Sequence, residues 1–126
     1  MEQTVRVLIV DDHEPFRRAA AAVVAGADAS LIIDEVASAE DAMDRARELT
    51  PHLVLMDVHL AGMSGVEATR RLLIDHPGTA VLLLSSYEPT DLPADLLQCG
   101  ALAYLHKADL DPAVIRRALA CIRGGP

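Results

Sequence analysis

Four polar clusters stand directly after apolar runs in this chain. Asp11 and Asp12 follow residues 5–10, Asp57 follows 53–56, Ser85 and Ser86 follow 80–84, and Lys107 comes soon after 101–105. If the first and third runs lie side by side, three carboxylates converge in one crevice. Two carboxylates about 4 Å apart repel by roughly 4 kcal/mol at an effective dielectric of about 20. Lys107 is the only lysine, against ten arginines, and it is the only local cation in this pattern. A divalent cation resolves the conflict. Ligation by carboxylates, a carbonyl and water suits Mg²⁺, which keeps several waters and takes phosphoryl oxygens. Asp57 could then act as a nucleophile, since aspartates form aspartyl-phosphates. The metal, Lys107 and the Ser85 hydroxyl could neutralise or hydrogen-bond the phosphoryl oxygens.

Such a site needs elements that bring these ends together. Five short apolar runs stand out, 5–10, 31–36, 53–56, 80–84 and 101–105, and most are near-continuous, as in strands covered on both faces. Between and after them lie five stripes with helical spacing. The first holds Phe16, Ala20, Val23 and Val24, the second Ala39, Ala42, Met43, Ala46 and Leu49, and the third Val66, Thr69, Leu72 and Leu73. A weaker fourth, with Leu92, Leu96 and Cys99, is interrupted by Pro93, and the fifth runs from Val114 to Ile122. Ser38 and Asp41 resemble a capping box. The alternation predicts an α/β domain with a doubly wound, five-stranded parallel sheet and five helices. In such sheets the working end is the carboxyl end of the strands.

At 126 residues the chain has room for one domain. An apolar content of 52% excludes disorder, and no apolar run is long enough to span a bilayer. No signal peptide is visible, because Arg6 and Asp11 bracket the first run. Cys99 and Cys121 have neither metal-ligand nor redox spacing and read as cytosolic thiols, so a cytoplasmic location is expected. With 11 basic and 19 acidic residues the net charge is −8, which argues against direct nucleic acid binding.

The stretches VRVLIVDDHEPF, PHLVLMDVHLAGMSGVEATRRL, AVLLLSSYE and GALAYLHKAD together resemble the receiver domains of two-component response regulators. The Asp-Asp-His and Gly-Ala-x-x-Tyr-Leu-x-Lys patterns point to the NarL/FixJ-like branch. The match covers a core of about residues 5–122 within a 1–126 domain, with 123–126 read as the start of a linker. The resemblance implies a flavodoxin-like strand order 2-1-3-4-5. It also implies that Asp57 accepts phosphate from a sensor histidine kinase. Asp11, Asp12, Asp57 and the backbone carbonyl of His59 would hold Mg²⁺. Ser85 and Tyr104 would be switch residues, Lys107 would pair with the phosphate, and His59 and Tyr87 would flank the phosphoryl group and tune access of water. The domain would catalyse only its own phosphoryl transfer and autodephosphorylation, acting in transcriptional regulation. A homodimer would form through the fourth helix, fifth strand and fifth helix, or through the fifth helix alone.

Departures from the family pattern are Ala61 and Ala108 where many relatives have Pro, Ser64 where many have Asp, and Ser85 in place of Thr. Plainer readings stand beside these. Asp11 and Asp12 suit a helix N-cap, Lys107 a surface lysine, Ser85 and Ser86 a strand end, and Tyr104 a core position. The five histidines show no convergent metal spacing. A flavin carrier of the same fold would need a phosphate loop after the first strand and more aromatics than 2% of residues. A phosphatase of the haloacid dehalogenase type would want a second Asp where His59 stands. A receiver used only as an interaction surface, without phosphorylation, remains as the third alternative.

Overall fold

Strand β1 (Arg6–Val10) alternates Leu8 and Val10 toward one face with Val7 and Ile9 toward the other, and all four are buried. That is the period-2 geometry of a strand covered on both sides. The computed structural model describes residues 4–87 and 96–124. After β1 come α1 (Glu14–Ala27), β2 (Ile32–Val36), α2 (Ala39–Leu49), β3 (Leu53–Asp57), α3 (Gly65–Asp75) and β4 (Ala80–Ser85). A 3₁₀ turn (Leu96–Cys99), β5 (Ala103–His106), a second 3₁₀ turn (Lys107–Asp109) and α4 (Pro112–Ile122) complete the described chain.

All neighbouring strands pair in parallel, in the order β2-β1-β3-β4-β5. The expected sheet is therefore observed, with β1 and β3 adjacent. Helices α2 and α3 and the first 3₁₀ turn supply one core, with Leu8, Val10, Val54, Met56, Val81 and Leu83. Helices α1 and α4 supply the other, with Val7, Ile9, Leu53, Leu55, Leu82 and Leu84. The central β3 is buried at every position, whereas the edge strand β2 is half-open and carries Asp34 and Glu35. Full coverage of both faces holds in the middle of the sheet and fails at that edge.

Five helices were expected, and the described residues contain four α-helices. Part of the predicted fourth helix, residues 88–95 with Pro93, lies outside the described residues. What is described of it is the single 3₁₀ turn Leu96–Cys99, and Gly100 follows at once with φ 102°. Such a positive φ stops helical propagation and is cheap only for glycine. The same turn delays β5, which begins at Ala103 rather than Ala101 and runs on to His106.

The N-termini are set by short polar side chains. Ser38, Ser64 and Asp111 cap α2, α3 and α4 by accepting from the backbone N–H of Asp41, Glu67 and Val114. These bonds satisfy N–H groups that a helix start otherwise leaves open. Ser64 thus caps α3 at the position where many relatives have Asp. Helix α1 differs: its N-cap is His13, which makes no side-chain cap bond. Asp11 and Asp12 are therefore not its N-cap, and the plainer reading of that pair fails.

At the amino end of the sheet the polar groups are closed off by the protein itself. Arg6 Nε donates to the carbonyls of Leu49 (2.7 Å) and Thr50 (3.1 Å) at the end of α2. The Arg6 N–H donates to His52 Nδ1 at 3.0 Å. Thr50 ends α2 in the left-handed region, at φ 46°.

Candidate functional site

Strand order decides which polar ends meet. Because β1 and β3 are neighbours, the residues that leave their carboxyl ends share one crevice. One oxygen each from Asp11, Asp12 and Asp57 lies within 4.8 Å of the others. Asp11 and Asp57 are 2% and 5% exposed, and Asp12 is exposed. Lys107, leaving β5 at the far side, places Nζ 2.6 Å from Asp11 Oδ2 and 3.7 Å from Asp57 Oδ1. The sole lysine thus reaches the carboxylates, and it does so over the face of Phe16, 4.4 Å from the ring centroid. A cation over an aromatic face is held electrostatically and shielded from water on that side.

Three carboxylates against one ammonium leave the crevice with a net charge of about −2 when all are ionised. Within 4.8 Å of each other, and at an effective dielectric of about 20, the buried Asp11 and Asp57 carboxylates repel by at least about 3.5 kcal/mol. Burial, and then the charge of Asp11, raise the Asp57 carboxyl above its ordinary range. Lys107 and the backbone N–H of His59, which donates to Asp57 Oδ1 at 3.2 Å, only partly oppose this. The protein therefore holds a carboxylate partly desolvated beside a second one. The donor set is hard oxygen throughout, with positive charge in deficit, and it fits Mg²⁺.

The other expected residues fall around this crevice. Ser85 ends β4, is fully buried, and accepts the Tyr87 N–H on Oγ at 3.0 Å. The Ser85 proton is thereby left to be donated elsewhere. His59 and Tyr87 meet edge to face, with ring centroids 4.3 Å apart. The two positions read as controlling access thus form one aromatic pair, although Tyr87 is half exposed. Tyr104 is half-buried, its ring packed against the α2–α3 core, and its hydroxyl donates to the Tyr87 carbonyl at 2.9 Å. No peptide bond is cis among the described residues, so the bond before Ala108 is trans.

Three contributors were missed from the sequence. Phe16 was read only as part of the first apolar stripe, although it is the one phenylalanine in the chain. Arg17 donates to the Asp11 carbonyl at 2.8 Å and pairs with Glu35, tying the first acidic residue to α1 and β2. Gly65 packs against the strand that bears Asp57. A Cβ built on it would lie 1.9 Å from the Asp57 carbonyl oxygen, closer than any side chain can be. A glycine at the start of a helix, eight residues after a strand-end Asp, was the available signal.

Comparison with known proteins agrees with this geometry. The family profile described as the response regulator receiver domain matches residues 7–120. The response regulator GacA of Pseudomonas protegens is 42% identical over 103 residues, which is 82% of this chain and 48% of that protein. The transcriptional activator protein ExaE of Pseudomonas putida is 36% identical over 94% of this chain and 55% of its own length. The chain thus spans about half the length of these curated relatives. A crystal structure of a two-component response regulator of the LuxR family, from Aurantimonas sp. SI85-9A1, is 29% identical. It superposes with a TM-score of 0.77 over 98% of this chain and 88% of that one. With the strand order, the acidic crevice and the profile match in agreement, the chain belongs to the response regulator receiver domains of two-component systems.

Proposed function

We propose that Asp57 accepts a phosphoryl group from the phosphohistidine of a sensor histidine kinase, in a Mg²⁺-dependent reaction. The observation that carries this reading is the buried Asp57 carboxylate beside Asp11, with Lys107 as the one ammonium at hand. An Asp57 oxygen attacks phosphorus, the P–N bond to the donor imidazole breaks, and the imidazole leaves with that electron pair. Asp11, Asp12, Asp57 and the His59 carbonyl would hold Mg²⁺, which neutralises phosphoryl charge when bound. Lys107 Nζ, already 3.7 Å from Asp57, pairs with a phosphoryl oxygen, and the Ser85 hydroxyl donates to another.

Engagement of Lys107 and Ser85 by phosphoryl gives the differential contact that a switch requires. Tyr104 is the second switch residue: its hydroxyl bond to Tyr87 ties β5 to the segment that carries Ser85. The output surface is the predicted fourth helix, of which 88–95 lie outside the described residues, with β5 and α4. There an apolar groove is lined by Leu82, Leu102, Tyr104, Val114 and Cys121, with Arg117 beside it. A second copy of the chain docking on this face, or on α4 alone, is the partner reading. The domain occupies residues 1–126, with a linker beginning at about 123, and serves transcriptional regulation as the named activities of its relatives suggest. A net charge of −8 favours a role without direct nucleic acid contact, and a cytoplasmic location goes with that role. No helix among the described residues is long and apolar enough to cross a membrane.

Incubation with acetyl phosphate tests the reading. Wild type gains the mass of one phosphoryl group with Mg²⁺ and not with EDTA, and Asp57→Asn gains none. Labelling of Asp57→Asn to the wild-type extent overturns it. Autodephosphorylation is governed by water reaching Asp57 past His59 and Tyr87, so Tyr87→Ala loses the label faster. An unchanged lifetime removes Tyr87 from that role.

A further inference from the structure

The β4 and β5 strands end side by side, with Ser85 in register with His106. Beyond that rung the backbone ladder stops, yet two groups that must act together follow it: the Ser85–Tyr87 segment and Lys107. The His106 side chain spans the gap. Its Nδ1 lies 3.0 Å from the Ala108 nitrogen, and its Nε2 lies 3.1 Å from the Ser86 carbonyl oxygen. A backbone N–H can only donate and a carbonyl can only accept. One protonation state satisfies both contacts: neutral imidazole, with the proton on Nε2 and the lone pair of Nδ1 facing Ala108.

We infer that His106 is a positioning residue, which clamps the Lys107 turn to the Ser86 carbonyl and so sets the spacing of Lys107 and Ser85. The Nδ1 contact caps the 3₁₀ turn Lys107–Asp109, whose first residue is the lysine itself. That turn is otherwise closed by a long bond from the Leu110 N–H to the Lys107 carbonyl, at 3.3 Å. A lysine side chain is flexible and costs entropy to hold in one place. The aim of its ammonium therefore depends on how firmly its backbone is held. The Nε2 contact fastens the same turn to the loop whose Tyr87 N–H occupies Ser85 Oγ. Loss of the ring unfastens the Lys107 turn from the Ser86 carbonyl, with the Tyr104–Tyr87 bond still joining β5 to that loop, while leaving Asp11, Asp12 and Asp57 where they are.

The inference rests on the phosphoryl reading of the site, and its test separates the two. Long-range ¹H–¹⁵N spectra of the wild-type ring at pH 7.5 show the Nε2–H tautomer. A ring protonated on Nδ1, or averaging between tautomers, overturns the clamp. Beryllofluoride with Mg²⁺ then serves as the phosphoryl probe. His106→Leu binds it roughly tenfold more weakly, the size of effect expected when hydrogen bonds that aim a charged group are lost. Mg²⁺ alone binds this variant as it binds wild type. His106→Asn, whose carbonyl oxygen can accept the N–H two residues on, recovers part of the loss. Wild-type affinity in His106→Leu, equal loss of Mg²⁺ binding, or no recovery in His106→Asn overturns the role of His106. Wild type that takes no beryllofluoride overturns instead the phosphoryl reading on which it rests.

Discussion

At the amino end of β1, the Arg6 guanidinium donates to the carbonyls of Leu49 and Thr50 and to the Thr50 hydroxyl. At the carboxyl end of β1, Asp11 faces Asp57 and Asp12 with one lysine among them. The two ends are about five residues apart on a single strand, yet they answer opposite requirements. The amino end closes the last turn of α2, where a helix leaves carbonyls open, and its charge is spent on neutral acceptors. The carboxyl end gathers like charges that no arrangement of this chain neutralises. An end whose polar groups are satisfied internally contributes stability. An end left with surplus charge costs stability and is free to take a ligand, as strain held at functional sites generally is.

The largest expected effect couples the two requirements at one residue. Gly65→Ala drives a methyl group into the Asp57 carbonyl and forces α3 off β3. A loss of about 3 kcal/mol in urea unfolding, together with loss of Mg²⁺ binding, is expected. If this variant is as stable as wild type, the carboxyl end is looser than the comparison requires. Next comes Arg6→Ala at the amino end, which removes the guanidinium from the Thr50 carbonyl and leaves the Leu49 carbonyl with the Thr50 hydroxyl as donor. It costs about 1 kcal/mol with Mg²⁺ affinity unchanged, and a change in that affinity would break the separation of the ends. A smaller effect sits at His52. Burial, and then the charge of Arg6, lower its pKa below the ordinary imidazole value. The neutral ring is favoured in the folded state, where Nδ1 accepts the Arg6 N–H. Its contribution is therefore complete above about pH 6.5 and is lost as pH falls through the lowered value. His52→Asn flattens that part of the stability–pH curve, and an unaltered slope would remove His52 from the account.

How much of this was legible in the sequence follows the same division. The carboxyl end announced itself, because polar residues that end continuous apolar runs have few structural reasons to be there. Asp11, Asp57, Ser85 and Lys107 are such residues, and parallel pairing carries them to one side. Close approach was harder to read. Gly65 and Phe16 act through contacts with β3 and Lys107, which sequence distance hides. The His106 contacts were hidden too, since they depend on the register of β4 against β5. The amino end was invisible, because Arg6 and His52 are 46 residues apart and carry no motif. Of the weak stripe before Gly100, Leu96–Cys99 forms a 3₁₀ turn rather than an α-helix, and residues 88–95 lie outside the described residues.

Surplus charge at the carboxyl end makes its sharpest prediction for the unfolding of wild type and Asp57→Asn. Asp57 has a raised pKa in the folded state. Its stabilising, protonated form is therefore complete below the ordinary carboxylate pKa and is lost as pH rises through the raised value. At pH 7 the ionised group works against folding. In EDTA at pH 7, Asp57→Asn accordingly unfolds at higher urea than wild type, and the difference vanishes toward acid pH. Mg²⁺ raises the wild-type midpoint, and added beryllofluoride raises it again, since ligands that bind only the folded state stabilise it by mass action. Asp57→Asn gains nothing from beryllofluoride. A wild-type midpoint that neither addition moves, or an Asp57→Asn midpoint that rises with beryllofluoride as far as wild type, would contradict the account.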